Sequence, residues 1–225
     1  SLIHGSITRL GSRYSDDLLL PGSPWQAIES PTEAAGMAHS RRNTLLACLV
    51  AALGLLAMLA AFWWFQAHYL RAFDERTALF TGGELHLPEQ LAGPGRIRLV
   101  HFWDPACPCN VGNQQHLSEL LERYSERGVQ FYSVRKPGSQ GQLPQALRAL
   151  QPLDGLTGSQ QLPASPAVAI WDQRGELAYF GPYSSGVTCT SGNSFVEPLL
   201  DALLDGRKVL ADNNLANGCF CDWVQ

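Results

Sequence analysis

The sequence predicts an α/β domain carried on a single membrane-crossing helix. Three observations predict it. From Thr44 to Phe65 the chain reads TLLACLVAALGLLAMLAAFWWF without one charged side chain, about the length of helix that crosses a bilayer core. Beyond it, buried-strand and amphipathic-helix patterns alternate from Ile97 to Gly206, the order that favours parallel strands with right-handed crossovers. The chain has 225 residues, which leaves room for about one domain of ~100–150 residues after membrane and linker are set aside. A formal net charge of −4 with 16% charged residues gives no basic stripe, so nucleic acid is not an expected partner.

Residues 1–43 read as an N-terminal cytoplasmic segment without sustained period and are expected to be disordered. MAHSRRN followed by an apolar run is how a signal-anchored chain commonly begins, so Met37 is the expected start and residues 1–36 are expected not to be native. The anchor is placed at 44–66. Arg41 and Arg42 precede it and Trp63 and Trp64 close its far end, matching a cytoplasmic positive flank and an interfacial aromatic belt. The part beyond it then faces outward. LLAC at Leu45–Cys48 sits at the start of the apolar run rather than after it, which speaks against lipidation of Cys48. SRRNTLL is a loose twin-arginine match, and FWWFQAHYL lacks the small-x-small pattern of a cleavage site.

Residues 67–95 read as stalk and linker, because TGGELHLPEQLAGPGR is broken by glycine and proline. The outward domain is placed at 96–225. Its first strand is IRLVHFW (Ile97–Trp103), which ends at DPACPC and feeds a helix with Leu117, Leu120 and Leu121 at helical spacing. VQFYSVR (Val129–Arg135) is the second strand, LPQALRAL (Leu143–Leu150) a short helix and Gln151–Ala164 a loop. PAVAIWD (Pro166–Asp172) and ELAYFG (Glu176–Gly181) form a hairpin, and Ser194–Gly206 is an amphipathic helix despite Pro198 near its start.

The strand, cysteine turn and helix place Cys107 near a helix N-terminus, where backbone N–H groups and the helix dipole favour the thiolate. This order, with VHFWDPACPC, resembles the thioredoxin fold, a central mixed sheet flanked by helices. It is most similar to membrane-anchored bacterial thioredoxin-like reductases, in which a Phe-Trp pair stands just ahead of the active cysteine. The resemblance covers roughly residues 97–206 and implies a bacterial inner-membrane protein with a periplasmic domain. It also implies a cis Ser165–Pro166 peptide beside Cys107, with main chain free to pair with a bound peptide. His101 stands where many thioredoxins keep a buried acid, so the resemblance implies a proton shuttle working near neutral pH, while a satisfied core histidine is the other reading.

Asn110 stands where Cys-x-x-Cys would place its second cysteine, and Cys109 comes one residue early. A Cys107–Cys109 bond would close a small ring and be labile. The chain has six cysteines. Cys48, in the apolar run, is expected to pack as a small apolar residue. Cys107, Cys109, Cys189, Cys219 and Cys221 remain outward, an odd number in a compartment that favours disulfides, and the sequence does not choose their pairing. The tail GCFCDW reaches back easily, so Cys219 or Cys221 is a candidate to resolve a disulfide at Cys107 or to staple to Cys189. A poorly characterised family of anchored thioredoxin-like proteins is similar in its GPYSSG loop and GCFC-W ending.

Three functions fit these residues. The first is a thiol–disulfide oxidoreductase with Cys107 as nucleophile, Cys109 as near partner, His101 and Pro166 as supporting residues, and protein thiols or disulfides as partners; it needs no cofactor beyond its own disulfide. The second is a copper- or zinc-handling module, because soft thiolates at Cys107, Cys109, Cys219 and Cys221 select Cu(I) or Zn, with His101 and His116 as possible nitrogen donors. Zinc sites usually space their cysteines more widely. The third is a binding domain whose cysteines are only staples.

Overall fold

In a computed structural model, the described residues are 31–73, 83–209, 211–212 and 216–223. Contacts divide the chain into two units, one ending at Gly54 and one beginning at Leu55. Helix α1 (Pro31–Tyr69) holds the apolar run, and Arg41–Tyr69 is long and apolar enough to cross a membrane. Its leucines and Trp63 are exposed on all sides, as expected of side chains that would otherwise face lipid. Residues 31–43 are helical rather than disordered. Proline is tolerated at the first helical position, and extending an existing helix through Ala34, Ala35 and Ala38 needs no new nucleus. Residues 1–30 lie outside the described residues.

The second unit follows the expected order. After β1 (Leu70–Ala72) come β2 (Ile97–Trp103), α2 (Asn110–Tyr124) and β3 (Val129–Arg135). Then follow β4 (Gln151–Leu153), β5 (Ala164–Ser165), β6 (Ala167–Trp171), β7 (Leu177–Gly181), α3 (Val196–Leu204), β8 (Ala211–Asp212), β9 (Asn217–Cys219) and β10 (Cys221–Asp222). The main sheet has strand order β4-β3-β2-β6-β7-β8. β2 pairs parallel with β3 and antiparallel with β6, so the sheet is mixed and β2 is its buried centre. A strand covered on both faces reads as a largely apolar run, here IRLVHFW, interrupted by the buried Arg98 and His101. The fold is a thioredoxin-like α/β architecture preceded by one long apolar helix.

Alternation along β2 sorts the core into two faces. Ile97 and Leu99 pack with Leu117 and Leu120 of α2 and Leu200 of α3. Val100 and Phe102 look the other way, onto Phe73, Leu162, Phe220 and Trp223. That second face is covered by chain ends rather than by a helix. Two short antiparallel pairs stitch the ends down: β1 with β9, where Leu70 faces Cys219, and β10 with β5, where Cys221 faces Ser165.

Three segments differ from the sequence reading. Of the segment 67–95 read as stalk and linker, the described residues pack onto the domain: β1 pairs with the tail, Phe73 is fully buried, and His86 bridges to Thr157. The helix expected at Leu143–Leu150 is a single 3-10 turn at Gln145–Leu147, because Pro144 opens it and β4 begins directly after Leu150. The expected loop Gln151–Ala164 contains β4, which extends the sheet parallel to β3.

Candidate redox site

The turn between β2 and α2 is built around Asp104. Its carboxylate accepts from the Ala106 N–H at 3.0 Å, while its carbonyl accepts from the Cys107 N–H at 2.9 Å and from Asn110 Nδ2. These bonds close the DPACPC loop so that Cys109 is the N-cap residue of α2 and Cys107 stands two residues before it. The partial positive charge there stabilises a Cys107 thiolate whenever one forms. The Ser165–Pro166 peptide is cis, as the resemblance implied, and the Ser165 carbonyl oxygen lies 3.8 Å from Cys107 Sγ.

The disulfides are Cys107–Cys221 and Cys109–Cys219. The small-ring Cys107–Cys109 bond is therefore absent, because each cysteine of CPC faces one cysteine of the CFC tail across the gap. Between the cysteines, Pro108 is exposed and Phe220 is buried in the second face of the core. Cys189 remains free and buried, and burial pushes its thiol up to about 11, which leaves it inert rather than resolving. Cys48 is also free.

His101 is fully buried, with its Nδ1 2.8 Å from the Tyr183 hydroxyl. Burial drives its pKa down to about 3, so the ring is neutral and does not work as a shuttle titrating near neutral pH. It is a core histidine satisfied on one side only, since its buried Nε2 has no hydrogen-bond partner among the described residues. His116 is likewise buried and bonds Ser194 Oγ at 3.0 Å. Neither histidine joins the cysteines: the sulfurs of Cys107, Cys109 and Cys221 lie within 4.8 Å of one another with no nitrogen donor in the group.

The tail is fastened independently of its sulfurs. Phe220 donates its N–H to the Tyr69 carbonyl and stacks edge-on against Phe73 with centroids 5.1 Å apart. Trp223 is 3% exposed and meets Phe102 edge-on. Arg71 pairs with Asp222 at 2.6 Å. Lys136 joins both sides, its ammonium 3.1 Å from the Asp104 carboxylate and donating to the Asp222 carbonyl at 2.9 Å. Gly186 of the GPYSSG loop donates its N–H to the Asn217 carbonyl, so that loop and the GCFC-W ending meet. A cleft of about 440 Å³ opens beside the bridge, lined by His68, Arg71, Asp104, Ala106, Cys107 and Cys221 among others, while the Cys109–Cys219 bridge is not on its wall.

A family model described as a domain of unknown function (DUF6436) matches residues 76–223. The chain belongs to this family. No curated protein matches it. Among solved structures, the DUF6436 domain is similar to a hypothetical protein from Sinorhizobium meliloti 1021, with 18% identity, 68% of this chain and 92% of that chain covered, and a TM-score of 0.44. It is also similar to MTB dsbF in its mixed oxidized and reduced forms, with 18% identity, 51% and 84% covered, and a TM-score of 0.36. A thioredoxin-like protein in the oxidized form is a third, at 18% identity, 61% and 97% covered, and a TM-score of 0.39.

Sequence reasoning named the four cysteines that the two bridges join but missed Arg71, Asp104, Lys136 and Asp222. Asp104 carried a signal, since an aspartate followed by proline ahead of a turn commonly organises it through side-chain bonds. Lys136 carried none, because its role exists only once β3 ends beside the tail.

Proposed function

We propose that the protein is a membrane-anchored thiol–disulfide oxidoreductase of the bacterial inner membrane, its domain on the periplasmic side, with Cys107–Cys221 as the reactive bridge. The observation that carries this reading is the placement of β10: Cys221 and Asp222 pair antiparallel with Ser165 and Ala164, beside the cis-proline and bonded to Cys107. The chain's own tail sits where an incoming cysteine-bearing strand would add to β5.

The exchange follows from the exposure of the two sulfurs. Cys107 is 5% exposed and Cys221 is the more open, so an incoming thiolate attacks Cys221 Sγ from the cleft. The S–S bond breaks, Cys107 leaves as a thiolate stabilised by the α2 N-terminus, and a mixed disulfide joins the donor to Cys221. The donor's second thiol then attacks its own sulfur in that mixed disulfide and expels Cys221. The donor is thereby oxidised by two electrons, and the bridge is reduced by two electrons and takes up the donor's two protons. In the reverse direction the Cys221 thiolate attacks the partner's disulfide to form the same mixed disulfide, and the Cys107 thiolate then attacks Cys221 Sγ, re-forming the bridge and expelling the partner's second thiolate. Ser165 O, 3.8 Å from Cys107 Sγ, is placed to accept the S–H of the reduced thiol.

The test uses the full chain in detergent, equilibrated in glutathione buffers of graded potential, quenched with acid, alkylated and mapped by mass spectrometry. Reversible interconversion of Cys107–Cys221, with Cys107 alkylating at a pH midpoint below the ordinary thiol value of about 8.5, is expected. A bridge that reduces only with loss of the fold, or a Cys107 thiol of ordinary acidity, would return the cysteines to the role of staples.

A further inference from the structure

Two Cys-x-Cys clips face each other, and the tail that carries one of them is held by contacts that involve no sulfur. We propose that when both bridges are reduced, Cys107, Cys109, Cys219 and Cys221 become a four-thiolate site for a soft d10 cation, Zn(II) or Cu(I). The site does not depend on the oxidoreductase reading, since it needs only that the four thiols exist together.

The reduction balances with a dithiol as reductant. Each disulfide takes two electrons and two protons from one dithiol, which leaves as a disulfide, so two dithiols yield four thiols. The cation then displaces protons from the thiols it binds, and those protons go to solvent.

Geometry favours capture over dispersal. After reduction the tail keeps its pairings of β9 with β1 and β10 with β5, the Arg71–Asp222 ion pair, the Lys136 link and the buried Phe220 and Trp223. The sulfurs of Cys107, Cys109 and Cys221 already lie within 4.8 Å of one another, and Cys219 faces Cys109. A tetrahedral tetrathiolate with Zn–S of about 2.3 Å needs sulfurs about 3.8 Å apart. The paired Cα atoms are 5.9 and 5.4 Å apart, so side-chain rotation can bring three sulfurs to that spacing, and Cys219, which lies outside the close group, must move towards it to complete the site. The donor set is sulfur alone, which selects soft cations over calcium or magnesium.

The full chain in detergent is reduced anaerobically with a phosphine, freed of it and titrated separately with zinc and with copper(I). Circular dichroism follows the fold and atomic emission counts bound metal. One ion per chain is expected, with Cys107, Cys109, Cys219 and Cys221 protected together from alkylation, and with visible bands of tetrahedral tetrathiolate cobalt(II) when that ion is used instead. The double variant Cys109→Ser, Cys219→Ser, which keeps the other bridge when oxidised, should bind roughly a hundredfold more weakly. A reduced, folded chain that binds neither ion more tightly than the double variant overturns the proposal. So does a chain that unfolds on reduction and is not refolded by either ion, because the sulfur-free fasteners would then be insufficient.

Discussion

His101 contributes to stability through the proton it refuses. In the folded chain it stays neutral down to about 3, whereas in the unfolded chain it titrates near 6.5. Between those values the unfolded state holds one more proton. Stability from this group is therefore complete above 6.5 and falls as the pH is lowered through the window, by about 1 kcal/mol per pH unit. Urea unfolding of the oxidised chain between pH 7 and 5, where carboxylates contribute little, should show this slope together with a part from His116, whose pKa burial also lowers, and His101→Phe should remove the His101 part; a variant with an unchanged slope would mean that His101 reaches solvent in the folded chain. Its position on β2 was legible in the sequence, but its chemistry was not. The deciding neighbour, Tyr183, arrives from a loop 82 residues away. Cys189 teaches the same lesson: five outward cysteines left one unpaired in any scheme, yet only its burial beside Tyr183 identifies it as the inert one.

The tail from Asn217 to Trp223 is the element on which the site depends. Its motif was visible because two Cys-x-Cys clips are rare, and its reach back to Cys107 was foreseeable. Its pairing with β1 and β5 was not, since short strands of two or three residues carry no periodicity and their partners lie far away in sequence. Gly218 shows how closely the tail is seated: a Cβ there would lie 2.8 Å from the Gly186 carbonyl oxygen and equally close to the Phe220 ring. Gly218→Ala should push the tail off the GPYSSG loop, and Trp223→Ala should remove a buried aromatic worth roughly 3–5 kcal/mol. If the tail protects the bridge, both variants should speed reduction of Cys107–Cys221 by a small dithiol, read as the rate of Cys221 alkylation in the folded chain. Equal rates in variants and parent would show that the cleft alone controls access. Lys136→Met is the companion change: it frees the Asp104 carboxylate and the Asp222 carbonyl together, so it should loosen the turn and the tail in one step.

At the scale of the whole molecule, the proposed orientation has two supports, one from sulfur chemistry and one from charge. Two bridges that join residues more than a hundred positions apart suit the oxidising compartment that the proposal assigns to the domain. Arg41 and Arg42 precede the apolar run, and the stretch up to Tyr69 carries no acidic residue. By the positive-inside tendency this favours the proposed orientation, with the N-terminal flank in the cytoplasm and the domain across the membrane. The two arguments are independent, one from charge and one from sulfur chemistry, and they agree. Expressed in full in a bacterial host, the chain in intact spheroplasts should lose the domain to added protease, and its four bridged cysteines should resist a thiol reagent until a reductant is added. Replacing both arginines by glutamate, with lysines added after Tyr69, should invert a fraction of the molecules. In that fraction the same four cysteines should react without reductant, because the cytoplasm keeps thiols reduced. A domain that stays protected in spheroplasts while its cysteines are bridged would break the link between orientation and oxidation.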